Sequence, residues 1–282
     1  MSLARLPPVT PVVSFLSPAA QGLPLTGMRR AHPLWFANAC AYLLLCAVLI
    51  VPLVLDERLL GGVSVWKKPF KFALSLGVLF ATLAWCAGLL PRAWWRSATG
   101  RVLTWIAVPT AAFEMAYILI MAALGQPSHF NVGTPLTATL YSLMGIGAAL
   151  LVSTCLGLAV AIAAHDDRWT RDPLRLAVVL GLGTSFFLGG GFGAYLGSHM
   201  SHWVAASPTD AGGLPIFDWA RDGGDLRVAH FFGMHAMQAL PVVGLLATGR
   251  AFGRSLVLAS TLAWAALCIA TFTQALRGVP FL

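Results

Sequence analysis

Residues 35–55 read WFANACAYLLLCAVLIVPLVL, twenty-one consecutive residues without one charged side chain. A helix rises about 1.5 Å per residue, so about 20 mainly apolar residues cover the hydrocarbon core of a bilayer. Six further stretches of the same character follow, at 70–90, 103–124, 136–164, 174–197, 228–248 and 255–276. Connections between them are short except for residues 198–227, which hold Pro208, Pro215, Gly212-Gly213 and four aspartates. The fold expected is all-α: a polytopic integral membrane protein with a seven-helix transmembrane bundle over 35–282. Ahead of it, residues 1–34 carry Pro7, Pro8, Pro11, Pro18 and Pro24. They read as a flexible Pro-rich tail, too interrupted for a span and lacking the basic-then-apolar order of a signal peptide.

Composition agrees. Of 282 residues, 58% are hydrophobic and 10% charged, where a soluble domain carries about a quarter charged residues. The net charge of +8 reads as membrane topology, because no basic stripe interleaved with exposed aromatics accompanies it; nucleic-acid binding is excluded. With the N-terminus inside, cytoplasmic segments hold eleven arginines, against seven Lys and Arg outside. Positive-inside counting therefore predicts a cytoplasmic N-terminus and an external C-terminus, as in a bacterial inner-membrane protein. Cys40, Cys46, Cys86, Cys155 and Cys268 all lie within spans and lack CxxC spacing, so they read as small apolar fillers.

Ionisable groups are costly in hydrocarbon, which makes those inside spans functional candidates. Five of the seven histidines (His129, His199, His202, His230 and His235) fall at one end of the bundle. At about 100° per residue, His230, Gln238 and His235 lie at roughly 0°, 80° and 140° on span six, giving one polar face. Pro241 leaves the Met237 carbonyl without its helical donor. His199 and His202 are spaced i, i+3 and converge if the helix persists that far. Before them Gly189, Gly193 and Gly197 form a small-residue stripe for close helix approach. In loop 124–134, His129 and Asn131 are placed to turn into the mouth of the bundle, with a self-closed surface turn as the structural alternative. Glu114, the only carboxylate within a span, reads as a metal ligand, a general base or a proton-relay group, with Tyr117 one turn nearer the same end. Thr271 and Gln274 would complete a polar wall. Lys67, Lys68 and Lys71 are the only lysines of the chain, and an anionic headgroup is their expected ligand. The structural alternative for them is an interfacial belt.

Seven spans with grouped histidines are loosely similar to the membrane hydrolases related to alkaline ceramidases and progestin-receptor-type proteins. That resemblance implies a metal held partly by an HxxxH pair on the last span. Here the last span has no histidine, and His230 and His235 are five apart.

The reading that follows is a membrane protein with a His/Glu site open to the outer leaflet. One version is a metal-dependent enzyme acting on a lipid or amphiphile. His199, His202, His230 and His235 would hold zinc or copper, Glu114 and His235 would be catalytic, and Lys67, Lys68, Lys71, His129, Asn131 and Gln238 would bind substrate. The alternatives are a haem- or copper-binding redox protein, in which Met200, Met234 or Met237 adds soft ligands, and a transporter or accessory protein.

Overall fold

The computed structural model describes residues 25–282. Helix α1 (Leu25–Ala31) precedes the first span, so the last part of the expected tail is helical, and residues 1–24 lie outside the described region. Seven helices are long and apolar enough to cross a membrane: Pro33–Leu55, Lys67–Leu89, Ala98–Ala123, Pro135–His165, Pro173–His199, Arg227–Ala247 and Gly253–Leu276. They match the seven expected stretches one for one. In chain order they are α2 (Pro33–Leu55), α3 (Lys67–Cys86, tightening to a 3₁₀ turn over Ala87–Leu89), α4 (Ala98–Ala123) and α5 (Pro135–His165). Then come α6 (Pro173–Thr184) and α7 (Gly191–His199), joined by a π-helical stretch, and α8 (Arg227–Ala247) and α9 (Gly253–Leu276).

The helix starts are written locally. Pro33, Pro135 and Pro173 occupy first-turn positions, where the absent N–H costs nothing. His32, Ser97, Thr134 and Asp172 each accept a first-turn N–H, and Thr134 and Thr137 do so reciprocally. Helix α3 is the most enclosed span, packed on α2 and α4; α5 joins α4 to α6, and α8 sits between α6 and α9. Two strand pairs lie at one end of the bundle: β1 (Leu59–Leu60) with β2 (Val63–Ser64), and β3 (Trp203–Val204) with β4 (Gly224–Asp225), both antiparallel. We call this the hairpin end. Segment 200–226 folds across it: Asp210 N–H and Thr209 Oγ1 both donate to Gly61 O, and Leu226 N–H donates to His202 O.

The π-helical stretch, Ser185–Gly190, is what aligns span five with span six. Ser185 Oγ donates to Met234 O at 2.9 Å and accepts from Met237 N–H at 3.0 Å, tying the stretch to the backbone of α8 at two points. Gly189 and Gly233 meet backbone to backbone; a Cβ on Gly233 would lie 2.6 Å from Gly189 Cα. The expected glycine stripe thus serves α8 through Gly189 and Gly193, and α5 through Gly197, whose carbonyl accepts from Tyr141 Oη.

Candidate functional site

The lysines open α3 at the hairpin end, and segment 200–226 supplies partners for two of them. The buried Asp218 carboxylate takes Lys67 Nζ at 2.5 Å and Lys71 Nζ at 2.8 Å, while its carbonyl accepts from Arg227 at 2.6 Å. Asp218 is presented by a turn in which Ile216 and Asp218 have φ of 72° and 59°, a costly conformation for a β-branched residue. Arg227 also pairs with Asp225 at 2.6 Å and Asp210 at 2.9 Å, and His202 Nε2 lies 3.3 Å from Asp210 Oδ1. Burial works to raise Asp210, but the His202 hydrogen bond and the Arg227 charge bring it down to about 2. Burial lowers His202, with Asp210 opposing.

Lys68 is different. Among the described residues it forms no hydrogen bond and no ion pair, and it keeps accessible surface. Yet it lies within charge range of Arg227, Asp210, Lys71 and Glu114, and of His129. Lys68 is thus an exposed ammonium set among charged groups at the hairpin end. Of the four cations there, Lys67, Lys71 and Arg227 form ion pairs with Asp210, Asp218 and Asp225, and Lys68 forms none.

One imidazole, His129, lies near Lys68, and a second, His230, lies near His129. His129 turns inward as expected, walled by Phe72, Phe130 and Tyr141, with Nδ1 3.2 Å from Ser128 Oγ. Burial and the nearby Lys68 charge hold its pKa well below the usual histidine range, so the ring is neutral. His230 lies within charge range of His129. Its Nδ1 is 2.8 Å from Gly189 O; a carbonyl only accepts, so Nδ1 carries the proton and Nε2 of the neutral ring presents a lone pair. Gly193 makes the space, since a Cβ there would lie 2.9 Å from the His230 ring.

Glu114 lies deeper, nine residues before the end of α4 and hence about 14 Å below the hairpin end. It is 2% exposed, Oε1 is buried without a hydrogen-bond partner, and Lys68 is the charged group in its range. Gly147 of α5 cradles the carboxylate, with room for no Cβ there: one would lie 2.6 Å from Oε1. Tyr117 Oη, one turn along, is also buried without a partner. Buried polar atoms normally have partners, so two orphans on one helix face mark unfilled hydrogen-bonding capacity.

Other expected site residues lie elsewhere. Helix α7 ends at His199, with Met200 in the left-handed region, so His199 and His202 share no helical face. His199 is exposed and stacked on Tyr195, while His202 stacks on Trp203. His235 packs on Phe231, and no hydrogen bond joins it to Glu114. Gln238 reaches Thr82 of α3 at 3.0 Å. Asn131 closes its own turn onto Pro127 O, the structural alternative. Gln274 bonds Pro280 O and Thr271 bonds Leu267 O, so no polar wall forms from α9. Met237 packs against Cys155, and Met200 is exposed. Among the described residues, no three His, Cys, Asp or Glu side chains converge as a metal site.

Sequence reasoning missed the acidic partners in 200–226. The available signal was topological: Asp210, Asp218 and Asp225 fall at the same bundle end as the lysines. Compared with known protein families, curated proteins and solved structures, the chain matches none of them.

Proposed function

We propose that this multi-pass membrane protein binds the anionic group of a lipid or other amphiphile among the basic groups at its hairpin end, with Lys68 as the charge contact. One observation carries the reading: Lys68 is the cation left unmatched where Lys67, Lys71 and Arg227 are all spent on aspartates. An exposed ammonium that no carboxylate holds is available to an anion, and the basic groups beside it add to the attraction. In the tautomer whose Nδ1 accepts from Ser128 Oγ, His129 offers Nε2–H as a donor to that anion. His230 Nε2 accepts from a hydroxyl of the same group.

The same charge weighs against a metal cation beside His230, and the separation of His199, His202 and His235 weighs against a four-histidine zinc, copper or haem site. The arginine distribution supports an external hairpin end, which turns these groups to the outer leaflet. Reporter fusions after Arg96, Arg168 and Arg250 read that orientation, and external signals at all three contradict it.

Binding of dihexanoyl phosphatidylglycerol to detergent-purified protein, followed calorimetrically, tests the site. Lys68→Gln is expected to weaken it by about tenfold or more. Dihexanoyl phosphatidylcholine should bind poorly to both proteins. Inorganic phosphate binding as well as the lipid would make the free anion the source. Equal affinity of wild type and Lys68→Gln would contradict the assignment.

A further inference from the structure

We propose that the outward face of α9 holds one anionic phospholipid of the leaflet at the hairpin end, with its phosphate on Arg277 and an acyl chain in a furrow of small residues below. The site shares no residue with the Lys68 reading and does not rest on it. Helix α9 is the least enclosed of the seven spans, so this face meets lipid. At about 100° per residue, Ala266, Ala270, Thr273 and Arg277 fall within an arc of about 60°. All four are exposed. The three small side chains make a furrow, with the exposed Leu262 below it and Ile269 and Leu276 along one side. From Ala266 to Arg277 the helix rises about 16 Å, roughly half the ~30 Å hydrocarbon core and so the depth of one leaflet.

The upper end of the furrow is a built groove. Beyond α9 the chain reverses at Gly278, whose φ is 70°, and Val279 N–H donates back to Gln274 O. Gln274 Nε2 donates to Pro280 O at 2.6 Å, and Phe281 packs on Trp219 and Phe232. These contacts fix the chain end beside the helix. A groove of about 440 Å³ opens there, lined by Ala270, Thr273, Gln274, Arg277 and Val279. Among the described residues the Arg277 side chain forms no hydrogen bond and no ion pair, and its planar guanidinium suits a phosphate bidentately. Gln274 keeps a second amide N–H for the same headgroup. A helix of a second copy also fits a small-residue furrow in shape. A symmetric pair through this face, however, sets two unpaired Arg277 side chains opposite each other at one depth, and like charge opposes that. A phospholipid supplies both the opposite charge and the apolar filling, so charge decides the occupant.

Native mass spectrometry of the detergent-purified full chain with dioleoyl phosphatidylglycerol, dioleoyl phosphatidylcholine or inorganic phosphate reads retained ligand directly. The measurement is made in wild type and again in Lys68→Gln, so that lipid held at Lys68 is counted separately. In both backgrounds phosphatidylglycerol is expected to be retained over phosphatidylcholine. Arg277→Gln should weaken that retention about fivefold or more. Ala270→Leu, which fills the furrow and keeps the charge, should weaken it as well. Both positions are exposed, so neither substitution disturbs packing within the bundle. Phosphatidylglycerol carrying a diazirine on its acyl chain should crosslink within residues 262–277. Retention in the Lys68→Gln background that survives either α9 substitution, or crosslinks confined to other spans, overturns the α9 site and leaves the Lys68 reading untouched. Inorganic phosphate retained in place of lipid overturns the lipid assignment. A protein dimer abolished by Ala270→Leu overturns it in favour of a second copy.

Discussion

His32 shows how an imidazole can be structural. It caps α2 by accepting from Trp35 N–H at 3.2 Å, lies 3.0 Å from Thr104 Oγ1, and stacks between Trp35 and Trp95. Burial lowers its pKa to about 4. Unfolded, the ring binds a proton below about 6.5; folded, only below about 4. The unfolded state therefore binds more protons between those values. Stability is full above about pH 6.5 and falls as the pH drops toward 4, by up to about 3 kcal/mol from this residue. Thermal unfolding in detergent should show His32→Asn, which retains a capping acceptor, with a flatter acid limb than wild type; identical limbs contradict this. The cap was legible in His32-Pro33, with proline at the first helical position. Lys68 was legible as one of three lysines, but its distinction from Lys67 and Lys71 was not. That distinction depends on which side chains Asp218 reaches, a contact spanning 151 residues for Lys67.

At the scale of elements, the π-helical stretch and the start of α8 behave as one unit. Ser185 supplies both a donor and an acceptor to α8, and Gly233 meets Gly189 without side chains. Ser185→Ala removes both hydrogen bonds to α8 and should cost about 1–3 kcal/mol. Gly233→Ala forces a Cβ to 2.6 Å from backbone and must part the two helices. Because His230 is held by Gly189 O, the same separation should loosen its ring. A lowered midpoint in thermal unfolding, with weaker phosphatidylglycerol binding for Gly233→Ala, is the expected pair of results. Unchanged stability in both variants would contradict the shared unit. The glycines and Pro241 were visible in sequence as packing and helix-breaking signals. The π turn was not, because its extra residue is set by the register of α8 against span five, not by local propensity.

For the whole molecule, the spans followed from apolar length alone, because hydrocarbon imposes a length that the chain must meet. Segment 200–226 did not. Its Pro, Gly and Asp composition is that of any loop, and its function as an acidic cover for the lysines exists only once α3 and α8 lie side by side. His199 and His202 misled for a related reason: helical spacing applied past the residue at which the helix stops. What the bundle assembles near the hairpin end is a set of ion pairs from which Lys68 is left out, with Glu114 Oε1 buried without a partner below it.

The chain has three lysines, all within this region, so amine-reactive labelling followed by peptide mass spectrometry reads each one separately. In purified protein without ligand, Lys68 is expected to label fastest, since Lys67 and Lys71 are held by Asp218. Adding dihexanoyl phosphatidylglycerol should protect Lys68 and leave the other two unchanged. Lys68 labelling at the same rate with saturating lipid as without it would contradict the assignment of Lys68 as an anion contact.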